Sequence, residues 1–158
     1  MKTEMKDGLK VRMSEWLAAA LREHAMRTYP HECCGALFGR IVTEQGAEER
    51  EIVAALALEN QRDDSPQNRF SVAPRDVIAA ERAAQAQGLE IVGWYHSHPD
   101  HPAKPSEYDR EHAWPWYSYV IVKVEQGEPG EMTSWRLKED RTEYEEERIE
   151  VHRSEVTE

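Results

Sequence analysis

A short apolar run that ends in two histidines narrows the fold more than any other part of the chain. Leu89-Glu90-Ile91-Val92-Gly93-Trp94-Tyr95 has the apolar, β-branched character of a strand buried on both faces, and it leads directly into His96-Ser97-His98-Pro99. Alternate side chains of a strand share a face, so His96 and His98 point the same way as the chain leaves the sheet. Ten residues separate His98 from Asp109, with Ser106 three positions before the aspartate. Pro99, Pro102 and Pro105 stiffen the intervening loop, which can return Asp109 to the same point. Zinc that works on water takes three protein ligands from His, Asp, Glu or Cys and keeps a fourth position for the water. His96, His98 and Asp109 fit that set.

A plainer reading of the same residues stands beside this one. Histidines near a strand end are commonly surface polar groups, and Ser106-Glu107-Tyr108-Asp109 before Arg110-Glu111-His112-Ala113-Trp114 spells the capping box of a helix start. The two readings are compatible, because a first-turn residue projects toward the strand end where a ligand is wanted.

Hydrolysis also needs a base that is not itself a ligand. The candidate is Glu32, in Tyr29-Pro30-His31-Glu32-Cys33-Cys34-Gly35-Ala36-Leu37-Phe38-Gly39, where a helix ends at a proline and a strand begins. The stretch starts like the His-Glu-x-x-His helix motif, but Gly35 stands at the fifth position, so His31 is not assigned as a ligand. Glu32 alone would read as a surface loop residue.

A glutamate before Cys-Gly-x-Leu-x-Gly, then His-x-His-Pro, six residues, Ser, two residues and Asp, resembles the signature of the JAMM (MPN+) zinc peptidases. The likeness spans residues 32 to about 124, and the preceding helix suits it. The short length and the Pro-His-Glu-Cys-Cys-Gly opening are most similar to the small prokaryotic branch. This resemblance implies an α/β, single-domain JAMM/MPN fold of cytidine-deaminase-like type, a mixed β-sheet flanked by helices. It implies one Zn2+ per chain on His96, His98 and Asp109, Glu32 as general base and acid, and Ser106 as hydrogen-bond donor to the oxyanion. It further implies peptide or isopeptide cleavage at the C-terminal tail of ubiquitin-like β-grasp proteins, sulfur carriers in particular, with trimming of a newly attached cysteine as one form. Such a tail could bind as an added strand. Two other classes share parts of the pattern: a non-catalytic MPN-type scaffold that binds partners, and a RadC-like protein of DNA repair.

Composition sets the surroundings. At 158 residues one domain is expected over 1–158, with a core over about 11–138 and an acidic tail over 139–158; such a chain can bury roughly 68–70% of its unfolded surface without disulfides. The net charge of -11 argues against a nucleic-acid or anionic-membrane partner and so against the RadC-like class. Residues 1–8 lack the apolar core of a signal peptide and no run approaches a membrane span, so the cytoplasm is the expected compartment. Monomer and homodimer both stay open. Cys33 and Cys34 are neighbours and cannot bridge without strain; they read as small buried residues at a strand start, the alternative being that Cys33 faces substrate or metal.

The pattern predicts a helix from Glu15 to about Thr28, capped by Ser14, with Trp16, Leu17, Ala20, Leu21 and Met26 on one stripe. Strands follow at 34–43 and 51–59. Residues 60–68 form a polar loop, either a substrate-facing flap or an ordinary connection, and a short strand covers 69–72. Pro74 opens an alanine-rich helix to about Gln87, stopped by Gly88. Beyond the site come a central strand at 117–124, a turn at Pro129-Gly130 and a strand over 131–138. The tail, anchored only by Tyr144, Ile149 and Val151, is either an edge strand or partly disordered. Trp94, Trp114, Trp116 and Tyr117 crowd the site, most of them as core and one as a pocket wall.

Overall fold

The structure, a computed structural model, describes residues 9–44, 46–60 and 72–153. Among these the chain runs β1 (Lys10–Ser14), α1 (Glu15–Thr28), β2 (Cys34–Glu44), β3 (Ala47–Leu58), α2 (Pro74–Ala86), β4 (Glu90–Pro99), α3 (Glu107–His112), β5 (Ser118–Glu125), β6 (Glu128–Leu137) and β7 (Tyr144–His152). The strands pair in the order β1-β3-β2-β4-β5-β6-β7, and β7 returns to pair with β1. The sheet is mixed, with β1–β3, β1–β7 and β4–β5 parallel and the remaining pairs antiparallel. None of the described helices is long and apolar enough to cross a membrane.

Strand periodicity lets one sheet serve two cores. In β2, Leu37 joins the cluster under α1 while Ala36 and Phe38 join the cluster under α2. In β4, Val92 and Tyr95 go to the first cluster and Ile91 to the second, which is the two-sided burial its composition predicts. Val120, Val122 and Val124 of β5 complete the first cluster, each fully buried, and burial of this kind stabilises by about 1.5–3 kcal/mol per side chain.

Ser14 caps α1, its hydroxyl accepting from the Leu17 N–H at 3.1 Å. The buried stripe is Leu17, Ala18, Leu21 and Ala25, with Met26 packed at its margin. Trp16 is 72% exposed and Ala20 is also exposed, which corrects the predicted stripe. The face is set by the 17-21-25 row plus position 18, where small alanines let the helix lie close to the sheet, and Trp16 points off that row. Pro74 opens α2, and Gly88 ends the segment with a φ of +73°, as its place predicts.

Three further expectations change. The turn between β5 and β6 is at Gln126 and Gly127, both at positive φ (50° and 83°), and Pro129 and Gly130 lie inside β6. A two-residue hairpin loop of type I′ needs positive φ at both positions, and Pro129 is tolerated where the β5–β6 register shifts. The acidic tail is a strand, but not an edge: β7 bonds β6 on one side and β1 on the other, with Ile149 packed on the main core and Val151 exposed. Its partner β1 carries a clear alternation, Val11 and Met13 fully buried, in a stretch with no predicted strand. The loop expected over 60–68 and the short strand over 69–72 fall largely on residues 61–71, outside the described residues.

Gly93 sits opposite Ser118 in the parallel β4–β5 pair, and a Cβ there would lie 2.3 Å from the Ser118 carbonyl oxygen. Gly93→Val is therefore expected to force the two strands apart and to destabilise the chain by at least about 2 kcal/mol. Urea unfolding measures this, and a change below about 0.5 kcal/mol would contradict the close approach.

Candidate metal centre

β4 delivers the two histidines and α3 the aspartate. Within the sheet, His96 pairs with Ile121 and His98 with Lys123, so both rings project from a strand bonded to its neighbour. His96 is 2% and His98 1% exposed. Asp109 arrives through the capping box: the Ser106 hydroxyl accepts from the Asp109 N–H at 3.0 Å, and the Ser106 N–H donates to Asp109 Oδ2 at 2.8 Å. The loop between is clamped at several points. The Asp100 N–H donates to the Val124 carbonyl at 2.6 Å, its carboxylate accepts from Tyr29 and from the Gln126 N–H, and Thr133 donates to the Ala103 carbonyl at 2.7 Å.

The outcome is three donor atoms facing one point. His96 Nε2 lies 3.2 Å from His98 Nε2 and 3.3 Å from Asp109 Oδ2, and His98 Nε2 lies 3.2 Å from the same oxygen. Bonds of about 2.0–2.1 Å from the corners of a tetrahedron set donors about 3.3–3.4 Å apart, so the triangle has the size of one face of a zinc site. Ring chemistry agrees. The Nδ1–H of His98 donates to the Pro102 carbonyl at 2.7 Å, which in a neutral imidazole leaves Nε2 as a lone pair. A lone pair aimed at another ring nitrogen and a carboxylate oxygen is a donor set that a single cation would fit. Burial pushes the Asp109 carboxyl up, but the His96 and His98 rings outweigh it and hold the group well below the ordinary carboxylate range.

Glu32 stands beside this triangle without joining it. A carboxylate oxygen of Glu32 lies within 4.8 Å of a ring nitrogen of His98. Its place follows from the β2–β4 junction, where the Cys33 N–H donates to Ser97 Oγ at 2.8 Å and the Ser97 N–H donates to the Cys33 carbonyl at 3.2 Å. Asn60 holds the Glu32 carbonyl from the end of β3 at 3.2 Å. Glu32 is 3% exposed, far from the surface residue its loop suggested, and burial pushes its carboxyl up to about 8, with Asp109 adding to the rise and His98 opposing it. A carboxyl poised there can exchange a proton near neutral pH. His31 is exposed and apart.

The cysteines behave as small core residues. Both are free and buried, and burial pushes the Cys33 thiol up to about 11 and Cys34 to about 12, so neither offers a thiolate. The tryptophans are less buried than expected: Trp114 is 66% and Trp116 44% exposed. Trp116 lies over the Arg50 guanidinium, 4.4 Å from its ring centroid, and that cation takes the place of core packing. Trp94, Trp114 and Tyr117 line a cavity of about 740 Å³ that reaches His96 and Asp109. One residue absent from the sequence reading also joins the site: His101 stacks on His98 with ring centroids 4.2 Å apart. Three imidazoles within six residues were the available signal.

Residues 14–138 match the family model described as prokaryotic homologs of the JAB domain. The chain is 33% identical over 114 residues to the desampylase of Haloferax volcanii, spanning 72% of this chain and 74% of that protein. It is 32% identical to a probable TtuB-protein conjugate cleaving protease of Thermus thermophilus, over 72% of this chain and 70% of that one. Solution structures of proteins from Desulfitobacterium hafniense and Salinibacter ruber superpose with TM-scores of 0.76 and 0.69, at 30% and 38% identity. They cover 91% and 93% of this chain and 94% and 95% of theirs. With most of its length matched by the family model, the chain belongs to the prokaryotic JAB-domain family, the small prokaryotic branch of the JAMM proteins.

Proposed function

We propose that the chain is a zinc-dependent peptidase or isopeptidase that hydrolyses the bond at the C-terminal tail of a ubiquitin-like β-grasp protein, sulfur carriers included. The observation that carries the reading is the triangle of His96, His98 and Asp109 donors at 3.2–3.3 Å with the buried, non-ligating Glu32 at its side. The named activity of the Thermus thermophilus relative, cleavage of a protein conjugate, supports the substrate class. A scaffold that only binds partners has no use for a dry carboxyl next to three convergent donors.

Zinc on His96, His98 and Asp109 would supply a Lewis acid that polarises the carbonyl and makes water acidic at neutral pH. Glu32 takes one proton from the attacking water and later gives it to the nitrogen of the breaking C–N bond, so the carboxyl ends as it began. Ser106 accepts from the Asp109 N–H, which leaves its own hydroxyl hydrogen to donate to the carbonyl oxygen as negative charge develops there. His98 keeps the tautomer this needs through Pro102.

Metal analysis is expected to return about one zinc per chain. Glu32→Gln should keep that zinc and lower cleavage of a ubiquitin-like fusion by at least about 10²-fold; an active variant removes the assigned base. Ser106→Ala removes both the cap and the donor, and is expected to cost about 1 kcal/mol of stability and about 10²-fold in kcat, read by thermal melts and steady-state rates.

Keeping Glu32 buried also has a stability cost. Its folded pKa lies above its ordinary value, so its contribution is fully present below about 4.5 and is lost as pH rises toward about 8. In the metal-stripped protein, Glu32→Gln should therefore raise Tm at pH 8 and leave it nearly unchanged at pH 4, at about 2–4 °C per kcal/mol for a chain of this size. Equal shifts at both pH values would contradict the buried-charge account.

A further inference from the structure

His101 carries a nitrogen that its packing does not explain. Its ring lies nearly parallel to that of His98, 17° between the planes, an arrangement any flat ring could supply. Yet Nε2 of His101 is shielded from solvent and makes no hydrogen bond among the described residues, and the same is true of Glu32 Oε1. Each buried polar atom left so costs about 1–3 kcal/mol. A carboxylate oxygen of Glu32 and ring nitrogens of His98 and His101 all lie within 4.8 Å of one another. Glu32 Oε1 and His101 Nε2 do not bond each other, and a carboxylate oxygen and a ring nitrogen of these two residues stand close enough for one polar atom to bridge the pair.

A second metal ion does not suit the trio. One nitrogen of His98 is held by the Pro102 carbonyl and the other faces His96 and Asp109. The remaining pair, a carboxyl that can give a proton and an imidazole nitrogen that can accept a hydrogen bond, matches the two needs of an amide nitrogen as its bond breaks. That nitrogen must receive a proton on its lone pair while its own N–H finds an acceptor.

We propose that His101 is a further catalytic residue: it accepts the hydrogen bond of the leaving N–H and so turns the nitrogen lone pair toward Glu32. This rests on the hydrolase reading above. The proton passes from the Glu32 carboxyl to nitrogen, the C–N bond breaks with its electron pair kept by nitrogen, and the acyl carbon retains the oxygen from water. His101 ends unchanged, and the amine leaves with the proton that Glu32 gave it.

The test compares two leaving groups on one acyl part: a β-grasp carrier tail joined to a peptide through an amide, and the same tail joined through an ester, which has no N–H to donate. His101→Phe keeps the ring stack and removes the acceptor; His101→Gln keeps an acceptor without the ring. His101→Phe should lower kcat on the amide by about 10- to 100-fold, with KM and zinc content unchanged and the ester rate within about two-fold of wild type. His101→Gln should recover much of the amide rate. Equal losses on amide and ester, an unaffected amide rate, or a drop in zinc content with His101→Phe would each overturn the assignment while leaving the hydrolase reading intact. A zinc-loaded wild-type chain that cuts neither tail removes the hydrolase reading, and this assignment with it.

Discussion

Parallel pairing between β4 and β5 runs from Gly93 opposite Ser118 to Pro99 opposite Val124, and it places His96 and His98 inside the sheet rather than on the loop beyond it. Each ring leaves a backbone bonded to β5, with fully buried valines on the strand beside it. The closeness of the two strands depends on Gly93 having no side chain. Two strands away, Leu58 of β3 faces Cys34, which in turn faces His96, so the same hydrogen-bonded layer that orients the histidines also sets the height of Glu32. Orientation of a reacting centre is worth most when it is built on elements that do not have to be ordered afterwards.

Much of the site was legible because its signals are short-range. Parity along one strand puts His96 and His98 on one face, and the Ser-x-x-Asp spacing that caps a helix also aims Asp109, so local geometry predicts convergence once the proline-rich loop is allowed to turn back. Cap and stop residues set the limits of α1 and α2 for the same reason. Glu32 was legible in position but not in surroundings: its burial follows from β2, β4 and Asn60 meeting around it, contacts separated by tens of residues.

What stayed illegible depends on distant partners. Lys10–Ser14 has a strand's alternation but becomes a strand through β7 and β3, and the acidic tail is held by the same closure of the sheet. Arg50, fully buried, donates to the Val92 carbonyl and lies under Trp116, which draws that tryptophan away from the core. No pattern of apolar residues announces a cation in that place. The hairpin at Gln126-Gly127 was hidden by the stronger turn chemistry of Pro129-Gly130, and only the β5–β6 register separates the two.

The three donors of the candidate centre do not rest on equal footings. His96 and His98 stand on a paired strand, but Asp109 comes from a helix of six residues that adds nothing to the buried apolar core. A helix that short is not stable alone in water, and this one is held by the cap at its first turn, by the loop that feeds it and by Arg110 and Arg141, which tie it to the segment between β6 and β7. Asp109 Oδ2 accepts the cap's N–H and faces both imidazoles, so the proposed ion capture and helix nucleation would draw on one oxygen atom. The soft side of the centre and the helix beside it form one cooperative unit, and whatever loosens the grip on that oxygen lets the whole turn fray.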